Sequence, residues 1–158
     1  MNHAVLFVRD ARRTARFYTD VLGFEPVVED PQGAYVFMRA NASANHHDIA
    51  FFGVGAEAGA PTPPATVGLY HVAWEVPTLA DLEQVRERLA RAGALVGASD
   101  HGVNKSLYAK DPDGLEFEVM WLAPPELWGA EEHQAIIRPL DLAGDTARYG
   151  AHLTAAGR

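Results

Sequence analysis

One succession of elements occurs twice in this chain, and that repeat limits the folds open to it. An apolar strand begins at His3 (His3-Ala-Val-Leu-Phe-Val8), and a similar one begins at His71, 68 residues later (Tyr70-His-Val-Ala-Trp-Glu-Val76). After the first strand, Asp10 is placed to cap a helix over about 11–22, in which Phe17, Tyr18, Val21 and Leu22 share a face. Gly23 sits where the helix should end in the left-handed region. Strands are expected near 24–29, 34–39 and 48–53, separated by Pro31-Gln-Gly33 and the polar stretch 41–45. The second copy repeats the order. Thr78 caps a helix near 79–92, Asp81 is its capping partner, and Leu79, Leu82, Val85 and Leu89 recur at helical spacing. Gly93 ends that helix, and strands follow near 94–98, 105–110 and 115–121.

The expected organisation is α+β: a βαβββ module over 1–53, a linker over 54–67 rich in proline and small residues, a second βαβββ module over 68–122, and a tail over 123–158. Each module alone leaves one sheet face uncovered. Pairing the two sheets would cover those faces and shape a half-barrel cleft within one compact domain. Strand alternation puts His71, Ala73 and Glu75 on one side and Val72, Trp74 and Val76 on the other; His3, Val5 and Phe7 share a side in the matching strand. Pro124, Pro125, Trp128 and Pro139 interrupt the tail, and Ile136-Ile137 calls for burial, either over the cleft or in a subunit contact.

Composition narrows the chemistry. The 158 residues are 48% hydrophobic, enough to bury a core. There is no cysteine, so disulfides, zinc–thiolate sites and cysteine nucleophiles are excluded, and any metal ligand must be nitrogen or oxygen. A formal charge of −8 argues against nucleic acid and anionic membranes as partners. No apolar run approaches the roughly 20 residues that span a bilayer. The first residues lack a secretory pattern, so a cytoplasmic location is expected.

Within that frame His3, His71 and Glu118 stand out. Each lies in or at the start of an expected strand, Glu118 just after the turn Asp111-Pro-Asp-Gly114. Two imidazoles and one carboxylate on separate strands can bind one face of a divalent metal and leave the other face open, as in non-haem Fe(II) enzymes that use O2. Taken singly, each is an ordinary polar residue at a strand end; the matching places of His3 and His71 in the two copies favour a shared site. His3, so near the first residue, has to be held by strand pairing.

Phe17-Tyr-Thr-Asp-Val-Leu-Gly-Phe24 and Asp111-Pro-Asp-Gly-Leu-Glu-Phe-Glu118 resemble the first helix with its turn, and the last turn with its strand, of the vicinal oxygen chelate superfamily. That superfamily contains glyoxalase I, bleomycin-resistance proteins, fosfomycin-resistance enzymes and type I extradiol dioxygenases. The resemblance covers about residues 2–122 and implies paired βαβββ modules with a metal in the cleft. It places the metal carboxylate four residues after the glycine of the turn, which selects Glu118 over Glu116. Within the superfamily the chain is most similar to a small extradiol dioxygenase. His47-Asp-Ile-Ala50 resembles the segment bearing the acid–base histidine of that group, while His101 and Tyr108 resemble its supporting histidine and tyrosine. The resemblance thus implies Fe(II), or else Mn(II) or another divalent metal, together with O2, a catechol-type substrate, a role in aromatic degradation and a homodimer.

The bland alternatives are a polar loop edge for His47, a half-buried strand aromatic for Tyr108 and an exposed loop histidine for His101. His47 or Asp48 could instead be a fourth metal ligand. Trp74, Phe51, Phe52 and Trp121 are expected in the core, and Asn2, Arg39 and Arg138 are open candidates for contact with a substrate substituent. Two other functions fit the same fold: an isomerase or thiol transferase using Ni, Zn or Mn, and a drug-binding resistance protein without a metal.

Overall fold

A computed structural model describes residues 2–61 and 67–155. Residues 62–66 of the expected linker lie outside the described residues. The elements run in the anticipated order: β1 (Ala4–Val8), α1 (Ala11–Leu22), β2 (Glu25–Glu29), β3 (Tyr35–Arg39) and β4 (Ile49–Gly53), then β5 (Val72–Glu75), α2 (Leu79–Arg91), β6 (Leu95–Asp100), β7 (Asn104–Lys110) and β8 (Glu116–Leu122). Both modules are βαβββ. Each forms a four-stranded mixed sheet, in the orders β1-β4-β3-β2 and β5-β8-β7-β6. In each the first strand pairs parallel to the last, and the remaining pairs are antiparallel. No helix among the described residues is long and apolar enough to cross a membrane.

The chain groups into two compact units, Met1–Tyr70 with Asp111–Leu115, and His71–Lys110 with Glu116–Arg158. In the first, Asp10 accepts from the Arg13 amide at the start of α1, and Gly23 (φ 75°) ends it with an amide bonded to the Thr19 carbonyl. Ala11, Thr14, Ala15, Tyr18 and Val21 form the buried stripe of α1. Tyr18 meets Phe51 at a ring distance of 5.0 Å. Phe51 is fully buried, as its apolar character suggests, but Phe52 is not. Strand alternation turns Phe52 to the opposite face, beside Tyr35 and Phe37.

The turn 111–115 groups with the first unit for a visible reason. Asp113 accepts from the Arg9 amide (2.7 Å) and from Arg9 Nη1 (3.1 Å), and pairs with Arg13. Asp111 Oδ1 accepts from the amides of Asp113 and Leu115, both at 2.9 Å, and Gly114 takes a φ of 88° that favours glycine. That turn fixes where β8 begins.

In the second unit α2 is capped at Thr78, whose side chain accepts from the Asp81 amide. It buries Leu79, Leu82, Val85 and Leu89. The tail is not an appendage. Two short 3-10 turns (Pro125–Leu127, Gly129–His133) lead to a third helix, α3 (Leu142–Tyr149), capped by Asp141 and packed on α2. The Ala80 amide donates to the Ala151 carbonyl, and the Ala155 amide to that of Pro77. Trp121, in the core as expected, donates to the Leu153 carbonyl and stacks near Tyr149. Ile136-Ile137 is only partly accommodated: Ile136 is half-buried, and Ile137 is 80% exposed.

Lys105 is fully buried, an uncommon place for an ammonium group. It is held by Asp100 (2.5 Å), the Gly102 carbonyl (3.1 Å) and Asp145 of α3 (3.4 Å). Burial alone would raise the Asp100 carboxyl, but the Lys105 and Arg138 hydrogen bonds outweigh it and hold Asp100 below its ordinary value. Removing the cation takes one of two cationic partners from Asp100 and the ammonium partner from Asp145, both of them buried. Lys105→Ala should therefore cost about 3–5 kcal/mol in urea unfolding; a loss under about 1 kcal/mol would show that the cluster carries little of the tail's attachment.

Candidate active site

Six side chains are candidates, and the structure gathers them into one pair in the first unit and one group of four in the second. In the first unit, His3 immediately precedes β1 and His47 precedes β4. Strand pairing brings them together: the Ala4 amide donates to the Asp48 carbonyl at 3.0 Å, and β1 then runs parallel to β4 from Ala4↔Ile49. The rings of His3 and His47 lie 4.5 Å apart. His47 also meets the edge of Phe37 at 4.9 Å, and its Nδ1 faces His46 Nδ1 at 3.2 Å. His46 is exposed, whereas His47 is half-buried.

A polar relay orients His3. Asp48 accepts from the Ala40 amide (2.8 Å), from Ser43 Oγ (2.8 Å) and from Asn45 Nδ2 (2.7 Å). A carboxylate only accepts, so Asn45 turns its amide nitrogen to Asp48 and keeps its oxygen for Asn2 Nδ2, 3.1 Å away. That leaves Asn2 Oδ1 to face His3 Nδ1 at 2.9 Å, so Nδ1 carries the proton and Nε2 keeps its lone pair. Asn2 is thereby occupied within the protein. Asp48 is spent anchoring the 40–48 loop, which weighs against its service as a metal ligand. Burial alone would raise the Asp48 carboxyl, but its three hydrogen bonds outweigh that and hold it below the usual carboxylate range.

In the second unit, register does the gathering. Glu118 at the middle of β8 faces Ala73 on β5 and Tyr108 on β7. His71, two residues before Ala73, shares that face. Its Nε2 lies 3.1 Å from Glu118 Oε2. The expected strand near 69–76 begins only at Val72, so His71 is held at the strand's entrance rather than within it. The rings of His71 and Tyr108 are 6.0 Å apart. The Tyr108 hydroxyl lies 2.9 Å from His101 Nε2, and His101 Nδ1 lies 2.7 Å from the Ile136 carbonyl. Gly97 lies next to Tyr108 across β6–β7, where a Cβ would meet the tyrosine at an ordinary contact distance of 3.7 Å.

Imidazole nitrogen and carboxylate oxygen facing each other at hydrogen-bond distance are a donor pair suited to a divalent first-row metal. Among the described residues no group of three or more His, Asp or Glu side chains forms a metal-holding cluster. The second unit by itself holds a pair of such donors, and the first by itself holds a single oriented imidazole. Arg138, an open candidate for substrate contact, is committed instead to Asp100 (2.6 Å) and Glu131 (3.1 Å). Sequence patterning did not flag the Ile136 carbonyl, since a backbone acceptor leaves no mark in residue type.

Partial burial, then the charges of His3 and His46, hold the His47 imidazole below its ordinary value, against the opposing pull of Asp48. His47 therefore stays neutral, and able to accept a proton, to lower pH than a free imidazole. Titration of the histidine ring protons by NMR should place His47 below about 6.5, and His3→Ala should move it upward. A wild-type value at or above 6.5 would contradict this environment.

The sequence model of the Glyoxalase/Bleomycin resistance protein/Dioxygenase superfamily matches residues 1–119. Biphenyl-2,3-diol 1,2-dioxygenase 3 of Rhodococcus globerulus is 37% identical over 130 residues, covering 78% of this chain and 65% of that protein. Catechol-2,3-dioxygenase of Bacillus subtilis is 28% identical over 129 residues, covering 81% of this chain and 43% of that protein. The chain thus spans less than two thirds of the length of these curated relatives. Among solved structures, a glyoxylase/bleomycin resistance protein/dioxygenase domain from Frankia sp. EAN1pec superimposes with a TM-score of 0.65 at 24% identity, over 79% of this chain and 93% of that one. The fosfomycin resistance protein FosX of Listeria monocytogenes gives 0.57 at 19%, over 76% and 90%. At these identities the structures speak for the fold alone.

Proposed function

We propose that this protein, which belongs to the Glyoxalase/Bleomycin resistance protein/Dioxygenase superfamily, cleaves the ring of a catechol-type substrate with O2 beside its two hydroxyls, using Fe(II) or, failing that, Mn(II). The observation that carries this reading is the row on one face of the second sheet, where the His71–Glu118 pair stands beside a Tyr108–His101 hydrogen-bonded pair. An isomerase needs donors for its metal; a tyrosine–histidine pair beside them adds a proton-handling group suited to a phenolic oxygen. The similarity to relatives named for biphenyl-2,3-diol and catechol supports the same substrate class.

In this reading His3 Nε2, His71 and Glu118 hold the metal. When bound, such an ion supplies Lewis acidity toward two vicinal oxygens and redox chemistry toward O2. His47 takes a proton from a substrate hydroxyl and returns it later. Its Nδ1 faces His46, so Nε2 is the nitrogen left for that transfer, and its depressed basicity keeps it unprotonated near neutral pH. With its own proton directed to His101 Nε2, the Tyr108 hydroxyl oxygen accepts a hydrogen bond from a substrate hydroxyl. Phe37, against the His47 ring, limits the orientations that ring can take.

The test is reconstitution with Fe(II) without air, addition of a catechol, then admission of air. Oxygen uptake with a new visible absorbance from a semialdehyde-type product is the expected result. Turnover of methylglyoxal with a thiol, and none of catechols, would replace this reading with the isomerase one. Glu118→Ala should abolish stoichiometric metal binding. His47→Phe should keep the metal and lose about 10²–10⁴-fold in turnover; unchanged turnover would remove His47 from the reaction.

A further inference from the structure

The tail makes one contact that its packing role does not require. His101 sits between two partners, the Ile136 carbonyl at Nδ1 (2.7 Å) and the Tyr108 hydroxyl at Nε2 (2.9 Å). A carbonyl oxygen can only accept, so the short contact at Nδ1 requires a proton there. In the neutral ring Nε2 is then the acceptor, and the Tyr108 O–H points at it. In the other tautomer the Nδ1 lone pair would face the carbonyl oxygen. Losing that hydrogen bond shifts the tautomer ratio by about tenfold.

We propose that the segment following the second module, through the Ile136 carbonyl and the Arg138–Asp100 pair, is a positioning element that fixes the tautomer of His101 and so aims the Tyr108 hydroxyl. Two independent features hold the segment at that distance. Residues Asp100 and Arg138 exchange both backbone hydrogen bonds (2.9 and 3.1 Å), and Arg138 Nε adds a third to the Asp100 carboxylate (2.6 Å). Asp100 is itself fixed by Lys105 and by the Gly102 amide (2.7 Å). Separately, the segment lies directly over Gly102: a Cβ there would fall 2.9 Å from Ile136 Cδ1 and 3.1 Å from Glu131 Oε2. Gly102 also holds a φ of 81°, so glycine is favoured at this position both for its backbone angle and for the closeness of the strap. Arg138 and Ile136 act through His101 and touch no reacting atom.

The consequence for turnover rests on the ring-cleavage reading; the tautomer assignment does not. The test is nitrogen-15 NMR of the histidine rings in the full chain supplied with Zn(II), which is diamagnetic, with His101→Phe identifying the signals. Wild type should show neutral His101 protonated on Nδ1. Arg138→Ala should move the population toward the Nε2-protonated form and lower kcat of the Fe(II) enzyme several-fold, with KM and metal content unchanged; Arg138→Lys should restore part of both. Replacing Ile137 by its α-hydroxy acid weakens the Ile136 carbonyl as an acceptor without altering a side chain, and should give the same shift. This second variant decides the matter if Arg138→Ala fails to fold. Wild-type His101 protonated on Nε2, or a tautomer population unmoved by the ester, would overturn the proposal. A wild-type enzyme with the Nδ1 tautomer but no ring cleavage would remove the proposed function and leave the tail's assignment supported.

Discussion

Register along β8 is the constraint from which the rest of the second unit follows. Phe117, Val119 and Trp121 point into the core, while Glu116, Glu118 and Met120 point the other way. Cross-strand partners then place Ala73, Glu118, Tyr108 and Gly97 in one row across four strands. A slip of one residue would exchange the two sets, moving the glutamates into the apolar core and turning Trp121 out of it, so hydrophobic packing itself fixes which side chains share the face of Glu118. The register begins at the turn Asp111–Gly114, whose Asp111 carboxylate and left-handed Gly114 leave the chain one way to enter the strand.

Both modules solve the same problem, how to decide which nitrogen of an imidazole carries the proton, and they solve it differently. The first uses side chains: a carboxylate orients one amide, that amide orients a second, and the second orients His3. The second uses a main-chain carbonyl delivered by the tail. In each case certainty comes from a group that can only accept, at one end of the chain of bonds. Hydrogen bonds of this kind contribute modest stability, but they convert a ring with two near-equal tautomers into one with a defined face.

The sequence made the repeated βαβββ order legible because helix stripes and strand alternation are local patterns: Leu79, Leu82, Val85 and Leu89 mark a helix without knowledge of anything distant. The helix ends at Gly23 and Gly93 and the caps Asp10 and Thr78 were equally readable. Helix α3 was not, since only two of its eight residues are buried, Leu142 and Asp145, and Gly144 interrupts its first turn. Phe52 was misplaced for a related reason. Adjacent aromatics in a strand must divide between faces, and composition does not say which goes where. The proximity of His3 to His47 and of His71 to Glu118 depends on strand pairing across long stretches of chain, and that of His101 to Tyr108 on the path of the β6–β7 hairpin, so local patterns could single out the residues but not set these distances. The involvement of Ile136 was beyond any reading of residue types.

The turn 111–115 has a consequence for the engineering of this chain. Although it connects two strands of the second sheet, its Asp113 satisfies Arg9 and Arg13 near the amino terminus. A gene divided between the two copies would leave the amino-terminal product with a pair of arginines robbed of their shared counter-ion. The two repeated halves of the polypeptide are therefore not interchangeable cassettes: one relies on a loop that the other carries in its sequence.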